Sequence, residues 1–183
     1  MDVRVWTGSD DELRRAADVY AAVFAEPPYH DDPDRSRATF LDRVRNRRET
    51  RPDFRLVLAL EEGAVIGLAF GTGIAEGDWW RDRIVPQLDA RTRDDWFGDE
   101  AFVIEELAVA GAHRRRGIAQ GLMHALLDDV PYMTAVLSAY ADAESAQLFY
   151  LRQGWTPFAT GLRIGDSPEL CLYGRRLVGP VRE

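Results

Sequence analysis

Residues 101–127 read AFVIEELAVAGAHRRRGIAQGLMHALL, and their pattern decides the fold. A strand is expected over Ala101–Val109, followed by a short loop, a basic turn Arg114-Arg115-Arg116-Gly117, and a helix placed over Arg114–Asp128. Ile118, Leu122, Met123 and Leu126 recur at helical spacing and can face a sheet. A strand, a basic glycine-containing turn and a helix start together form an anion site. The first-turn N–H groups of a helix lack partners within it, and the helix dipole adds roughly half a positive charge. Gly117 permits close backbone approach to an oxygen, Ala119 is too small to obstruct it, and the three arginines add charge. The expected ligand group is a pyrophosphate. No Gly-Lys-Ser/Thr follows, so this is not a Walker loop, and no Gly-x-Gly-x-x-Gly dinucleotide fingerprint is present.

Working outward, Val3–Trp6 reads as a strand and Thr7-Gly8-Ser9-Asp10 as a turn that can cap a helix. That helix carries Leu13, Ala16, Ala17, Tyr20, Val23 and Phe24 on one face and stops at Pro27-Pro28. A second helix is expected over Pro33–Arg48, with Phe40, Leu41 and Val44 as its stripe. Two strands, 54–60 and 64–72, flank the hairpin signal Glu61-Glu62-Gly63. Residues 73–100 are expected to be an excursion with one short helix near Trp80–Asp89. After the quoted stretch come a strand over 133–139, a helix over 143–153 ended by Gly154, and strands over 158–164 and 169–177. The order predicts one mixed α/β domain spanning 1–183, its mostly antiparallel sheet flanked by helices, rather than a doubly wound parallel sheet.

Bulk properties narrow the function. A chain of 183 residues suits one domain, and a net charge of −8 argues against tracking nucleic-acid phosphates. Cys171 is the single cysteine, so neither a disulfide framework nor a thiolate metal site is expected. Three scattered histidines lack metal-ligand spacing, and no metal is expected. The N-terminal MDVRVWTGSD has no signal-peptide pattern, and no apolar run approaches membrane-spanning length. A cytoplasmic protein is expected, away from membranes.

Arg114, Gly117 and Ala119 match Arg/Gln-x-x-Gly-x-Gly/Ala, and Leu107-Ala108-Val109 precedes them as a Leu-x-Val-like triplet. Further on, Tyr150-Leu151-Arg152-Gln153-Gly154-Trp155 fits Tyr-x-x-x-Gly-aromatic. With both motifs in this order inside a matching element order, the chain resembles the GNAT superfamily of N-acetyltransferases, over roughly Val3–Leu177. The resemblance implies acetyl-CoA as acyl donor, lying in an opening between the strands that end at Val109 and Ala139. Backbone groups of Leu107 and Val109 would pair with its pantetheine arm. The N–H groups from Arg115 through Arg116, Gly117, Ile118 and Ala119 to Gln120 would hold its pyrophosphate. One departure stands out: many members carry Asn where this chain has Ala143, which removes a cofactor contact.

The same resemblance implies that Tyr150 protonates the departing thiolate, which needs a weak acid within hydrogen-bond reach. Glu105 and Glu106 interrupt an apolar strand, and a buried carboxylate is costly unless paired or used. Strict alternation would put the two on opposite faces, with at least one of them paired with an arginine. The pair is similar to an acidic pair of spermidine/spermine acetyltransferases, where one carboxylate accepts the amine proton. Glu105 is ranked ahead of Glu106 for that task. Tyr29 and His30, between the first two helices, and Trp79 and Trp80, in the excursion, are candidates for an acceptor wall. Residues 71–106 hold ten acids against four arginines, which would suit a cationic acceptor.

The function these readings support is acetyl transfer from acetyl-CoA to a primary amine of a small molecule or peptide, by direct attack. A longer acyl donor and a non-catalytic acyl-CoA-binding module stand as alternatives. The absence of a cysteine near the site disfavours an acyl-enzyme. Homodimers are common among proteins of this size.

Overall fold

The computed structural model describes residues 1–177. Among these residues seven strands form one sheet in the order β1-β2-β3-β4-β5-β7-β6. They are β1 (Asp2–Val5), β2 (Arg55–Glu61), β3 (Ala64–Ala75), β4 (Glu100–Val109), β5 (Thr134–Tyr140), β6 (Thr156–Leu162) and β7 (Leu170–Arg176). Pairing is mostly antiparallel; β4 and β5 run parallel, with Phe102 opposite Ala135 and Val103 opposite Val136. The helices are α1 (Asp10–Phe24), α2 (Pro33–Thr50), α3 (Arg81–Ile84), α4 (Ala90–Trp96), α5 (Ile118–Leu127) and α6 (Glu144–Arg152). The mixed α/β architecture expected from the sequence is the one observed.

Two compact units divide the described residues: 1–72 with 105–128, and 73–104 with 129–177. In the first, α1 starts on a cap written in the sequence. The Ser9 hydroxyl accepts from the Glu12 amide, and Asp10, Asp11 and Glu12 complement the helix dipole. Leu13, Ala16, Ala17 and Tyr20 then fall on one buried face. In α2, Asp32 accepts from the Arg35 amide at 2.8 Å, with Pro33 in the first turn. Only Ser36, Phe40, Leu41 and Val44 of α2 are buried, so its remaining surface is free for charged side chains. Strands β2 and β3 are apolar along most of their length because both faces are covered. Glu62 and Gly63, with φ of 51° and 81°, make the tight turn between them, whose twist suits antiparallel strands. Phe40, Leu13, Leu56, Leu58, Leu68 and Phe70 anchor this unit's core at 1% exposure or less. Truncating one such Leu to Ala would cost about 2–5 kcal/mol.

In the second unit, Ile74, Ile84, Val85, Phe97, Val103, Val136 and Leu172 form the core. The excursion departs from expectation here. Instead of one helix near Trp80–Asp89, the chain makes α3, a 3-10 turn at Val85–Gln87, and α4. Helix α4 buries no residue. Its Asp89 cap binds the Thr92 amide at 2.9 Å, and its last residue, Trp96, stacks on Phe158 with ring centroids 5.1 Å apart. Gly174 makes that seat available, since a Cβ there would lie 2.2 Å from Trp96 Cε3.

Candidate active site

The helix expected from Arg114 starts later, at Ile118, because residues 111–117 are used to turn the chain. Gly111–His113 forms a 3-10 turn, Arg115 adopts φ 60° and Gly117 caps α5 at φ 78°, ψ 2°. The first α-helical bond, from the Gly121 amide to the Gly117 carbonyl, is 3.0 Å. The amides ahead of it have no acceptor within a helix. An ideal Cβ on Gly117 would meet no atom within 4 Å, so the space beside the helix terminus is open. Upstream on β4, Ala108 is buried while Leu107 and Val109 are partly exposed, the alternation of a strand with one accessible side.

The three arginines of the turn are not equivalent. Arg114 donates from Nε to the Val109 carbonyl at 3.1 Å and pairs with Glu26 at 2.7 Å. Arg116 grips Glu61 at the end of β2, at 2.6 and 3.2 Å, and His113 Nε2 lies 3.4 Å from the same carboxylate. The Arg116 hydrogen bond holds the Glu61 carboxyl below the usual range. Arg115 has no partner among the described residues. Sequence reasoning missed Glu26 and Glu61; nothing local marks them, because their partners lie far along the chain.

Two β4 carboxylates sit beside α2. Glu105, with a side chain 10% exposed, receives Arg47 Nε at 2.8 Å and Nη2 at 3.5 Å. Glu106, 12% exposed, receives Arg43 Nη2 and, at 3.2 Å, the Tyr20 hydroxyl; Arg43 Nη2 also lies 3.4 Å from that hydroxyl. Alternation would separate the two glutamates, yet both end on the same helix. Their partners stand four residues apart on α2, and long guanidinium side chains one turn apart can reach both. Burial pushes the Glu106 carboxyl above the ordinary glutamate range, only partly offset by Arg43. Burial also raises Tyr20, with the Glu106 charge adding to it, so this phenol stays a donor. Glu106 Oε2 has no donor among the described residues. Rings continue outward from this cluster: Tyr20 to Phe24 at 4.4 Å, and Phe24 to Tyr29 at 4.7 Å. His30 is exposed, with φ 52°.

Tyr150, Trp79 and Trp80 belong to the second unit. Tyr150 is the one buried residue of α6 and packs against Tyr173 and Trp155, with centroids at 5.7 and 6.2 Å. Trp80 lies 6.1 Å from Phe97 against the core, whereas Trp79 is 60% exposed with Arg83 4.2 Å over its ring.

The profile of the acetyltransferase (GNAT) family matches residues 16–155. The chain belongs to this family. Among solved structures, a GNAT-family protein from Desulfovibrio desulfuricans superposes with a TM-score of 0.65 at 14% identity, over 96% of this chain and 98% of that one. Aminoglycoside 6'-acetyltransferase type Ii gives 0.65 at 16% identity, over 97% and 98%. The protein yncA from Salmonella typhimurium, with its cofactor acetyl-CoA, gives 0.62 at 16% identity, over 100% and 98%. Identities this low establish the shared fold alone. No curated protein sequence matches the chain. The acyl donor of the GNAT family is acetyl-CoA, and the open, left-handed Gly117 cap at a helix start, whose first-turn amides lack intrahelical acceptors, fits a pyrophosphate.

Proposed function

We propose that the chain transfers an acetyl group from acetyl-CoA to a primary amine of a small molecule or peptide by direct attack. The observation that carries this reading starts on one strand: β4 bears the largely buried Glu105–Glu106 pair and leads, through the turn at 110–116, into the Gly117 cap of α5. A proton acceptor and an anion cradle thus stand on consecutive elements of one unit. Backbone N–H groups from Arg115 to Gln120 hold the pyrophosphate, and Leu107 and Val109 offer main-chain partners to the pantetheine arm.

When bound, the thioester supplies an activated acyl carbon and a thiolate leaving group. Glu106 takes the proton of the acceptor ammonium at Oε2, which frees the nitrogen lone pair for attack. Its raised proton affinity and its uncommitted oxygen support this assignment over Glu105, the residue ranked first from sequence. Glu105, held by Arg47 through both oxygens, keeps the neighbouring charge in place. As the C–N bond forms and the C–S bond breaks, the nitrogen releases its second proton to solvent, and the Tyr150 hydroxyl gives its own proton to the departing sulfur and is reprotonated from solvent. Support for Tyr150 is its place in the family motif. Tyr29, His30, Trp79 and Trp80 are assigned to acceptor binding. No described helix is long and apolar enough to cross a membrane. Cys171, the only cysteine, is buried and unpaired, which supports a cytoplasmic setting.

Free-thiol release with acetyl-CoA and a broad amine panel tests the proposal. Amine-dependent release is expected; release with water alone, or none at all, contradicts it.

A further inference from the structure

Helix α2 is basic in an acidic protein. It carries Arg35, Arg37, Arg43, Arg45, Arg47 and Arg48 against Asp34, Asp42 and Glu49, within a chain of net charge −8. Two of these arginines cover the β4 carboxylates. Arg43 and Arg47 are 32% and 30% exposed, while Glu106 and Glu105 beneath them are 12% and 10% exposed. A molecule approaching this cluster therefore meets guanidinium groups before it meets carboxylates. The four charges sum to zero, so a polycation gains little from them.

The donors are only partly used. A guanidinium has five N–H bonds. Arg47 commits Nε and Nη2 to Glu105, and Arg43 commits Nη2 to Glu106 and Tyr20. Nη1 of each arginine has no acceptor among the described residues. Two guanidinium groups one turn apart on a helix, beside a largely buried carboxylate, suit a ligand carrying both signs of charge. We infer that the acceptor bears a carboxylate alongside its amine, as an amino acid does: the ammonium meets Glu106 and the carboxylate meets Nη1 of Arg47 and Arg43. Planar forks favour carboxylates specifically, by paired N–H···O bonds. This inference rests on the reading that Glu106 receives the amine proton, and it departs from the cationic acceptor expected from the sequence.

The test compares each proteinogenic amino acid with its carboxamide, and with putrescine and spermidine, by thiol release from acetyl-CoA. For the amino acids that react, kcat/KM is expected to exceed that of the carboxamide by about 10-fold or more, the scale of one good charge-assisted contact. Arg47→Gln should bring that ratio towards one, and Arg47→Lys should restore part of it. Carboxamides or polyamines that match or outrun the amino acids overturn the inference. If no amine reacts, it is acetyl transfer that fails, and calorimetry decides the acceptor class separately. N-acetyl amino acids should then bind more tightly than N-acetyl amino amides in the presence of CoA, and equal binding overturns the inference. The wild-type comparison also stands if Arg47→Gln does not fold.

Discussion

Arg116 holds Glu61 through both terminal nitrogens, at 2.6 and 3.2 Å, and so ties the cap of α5 to the hairpin between β2 and β3. Both side chains reach solvent, at 47% and 30% exposure, and exposed pairs of this kind add little to stability. Glu61→Gln is therefore expected to leave the melting temperature almost unchanged. It should raise the KM for acetyl-CoA several-fold at constant kcat, because it loosens a cradle that contains two left-handed residues. Initial rates at varied acetyl-CoA check this; unchanged KM would reduce the pair to surface decoration.

Acetyl-CoA should raise the melting temperature of the wild type, since it binds the folded chain. Gly117→Asp should abolish that rise by setting a carboxylate in the open space where the Cβ would point. Asn tolerates the left-handed backbone as well as Asp does, so Gly117→Asn separates charge from strain. It should retain part of the shift.

Tyr150→Phe keeps the ring contacts with Tyr173 and Trp155 and removes only the hydroxyl. Turnover is expected to fall about 100-fold, at the low end of general-acid effects, with the KM for acetyl-CoA nearly intact. Steady-state kinetics decide it, and wild-type turnover would return this tyrosine to a packing role.

The raised Glu106 carboxyl has consequences of definite sign. Between the ordinary glutamate range, about 4.3, and its higher folded value, the native chain binds more protons than the unfolded one. Stability should therefore fall as pH rises through that window, and Glu106→Gln should flatten the slope in denaturant titrations. In activity, Glu106→Gln should lower kcat/KM most at low pH and recover in part at high pH, where free amine is abundant. Glu105→Gln leaves Arg47 without its carboxylate, and its losses should not be rescued by pH.

Much of this was legible in the sequence. The capped, periodic stretches of α1 and α2 and the apolar hairpin β2–β3 announced themselves, because burial and helix capping are local and repeat at fixed spacing. Helix α4 did not. Its ARTRDDW has no apolar stripe, and it is held by a cap and by one tryptophan seated on a glycine of a distant strand. The same divide runs through the site. The motif residues around Gly117 lie together in the chain, whereas Tyr20, Arg43 and Arg47 reach the glutamates across 58 to 86 residues. Arg43 and Arg47 are two of six arginines in α2, and nothing local in the sequence sets them apart from the others. Charge pairing at long range leaves no mark on periodicity, and what the sequence does display, the acids and tryptophans of the excursion, points to a cationic acceptor instead.

The central claim is acetyl transfer, and mass spectrometry of a reaction with acetyl-CoA and the amino-acid panel tests it most directly. The expected result is an N-acetylated amine formed in step with free CoA, lost together in Tyr150→Phe. Thermal stabilisation by acetyl-CoA with no acetylated product from any amine would contradict the account, and would make the chain a module that binds the thioester without using it.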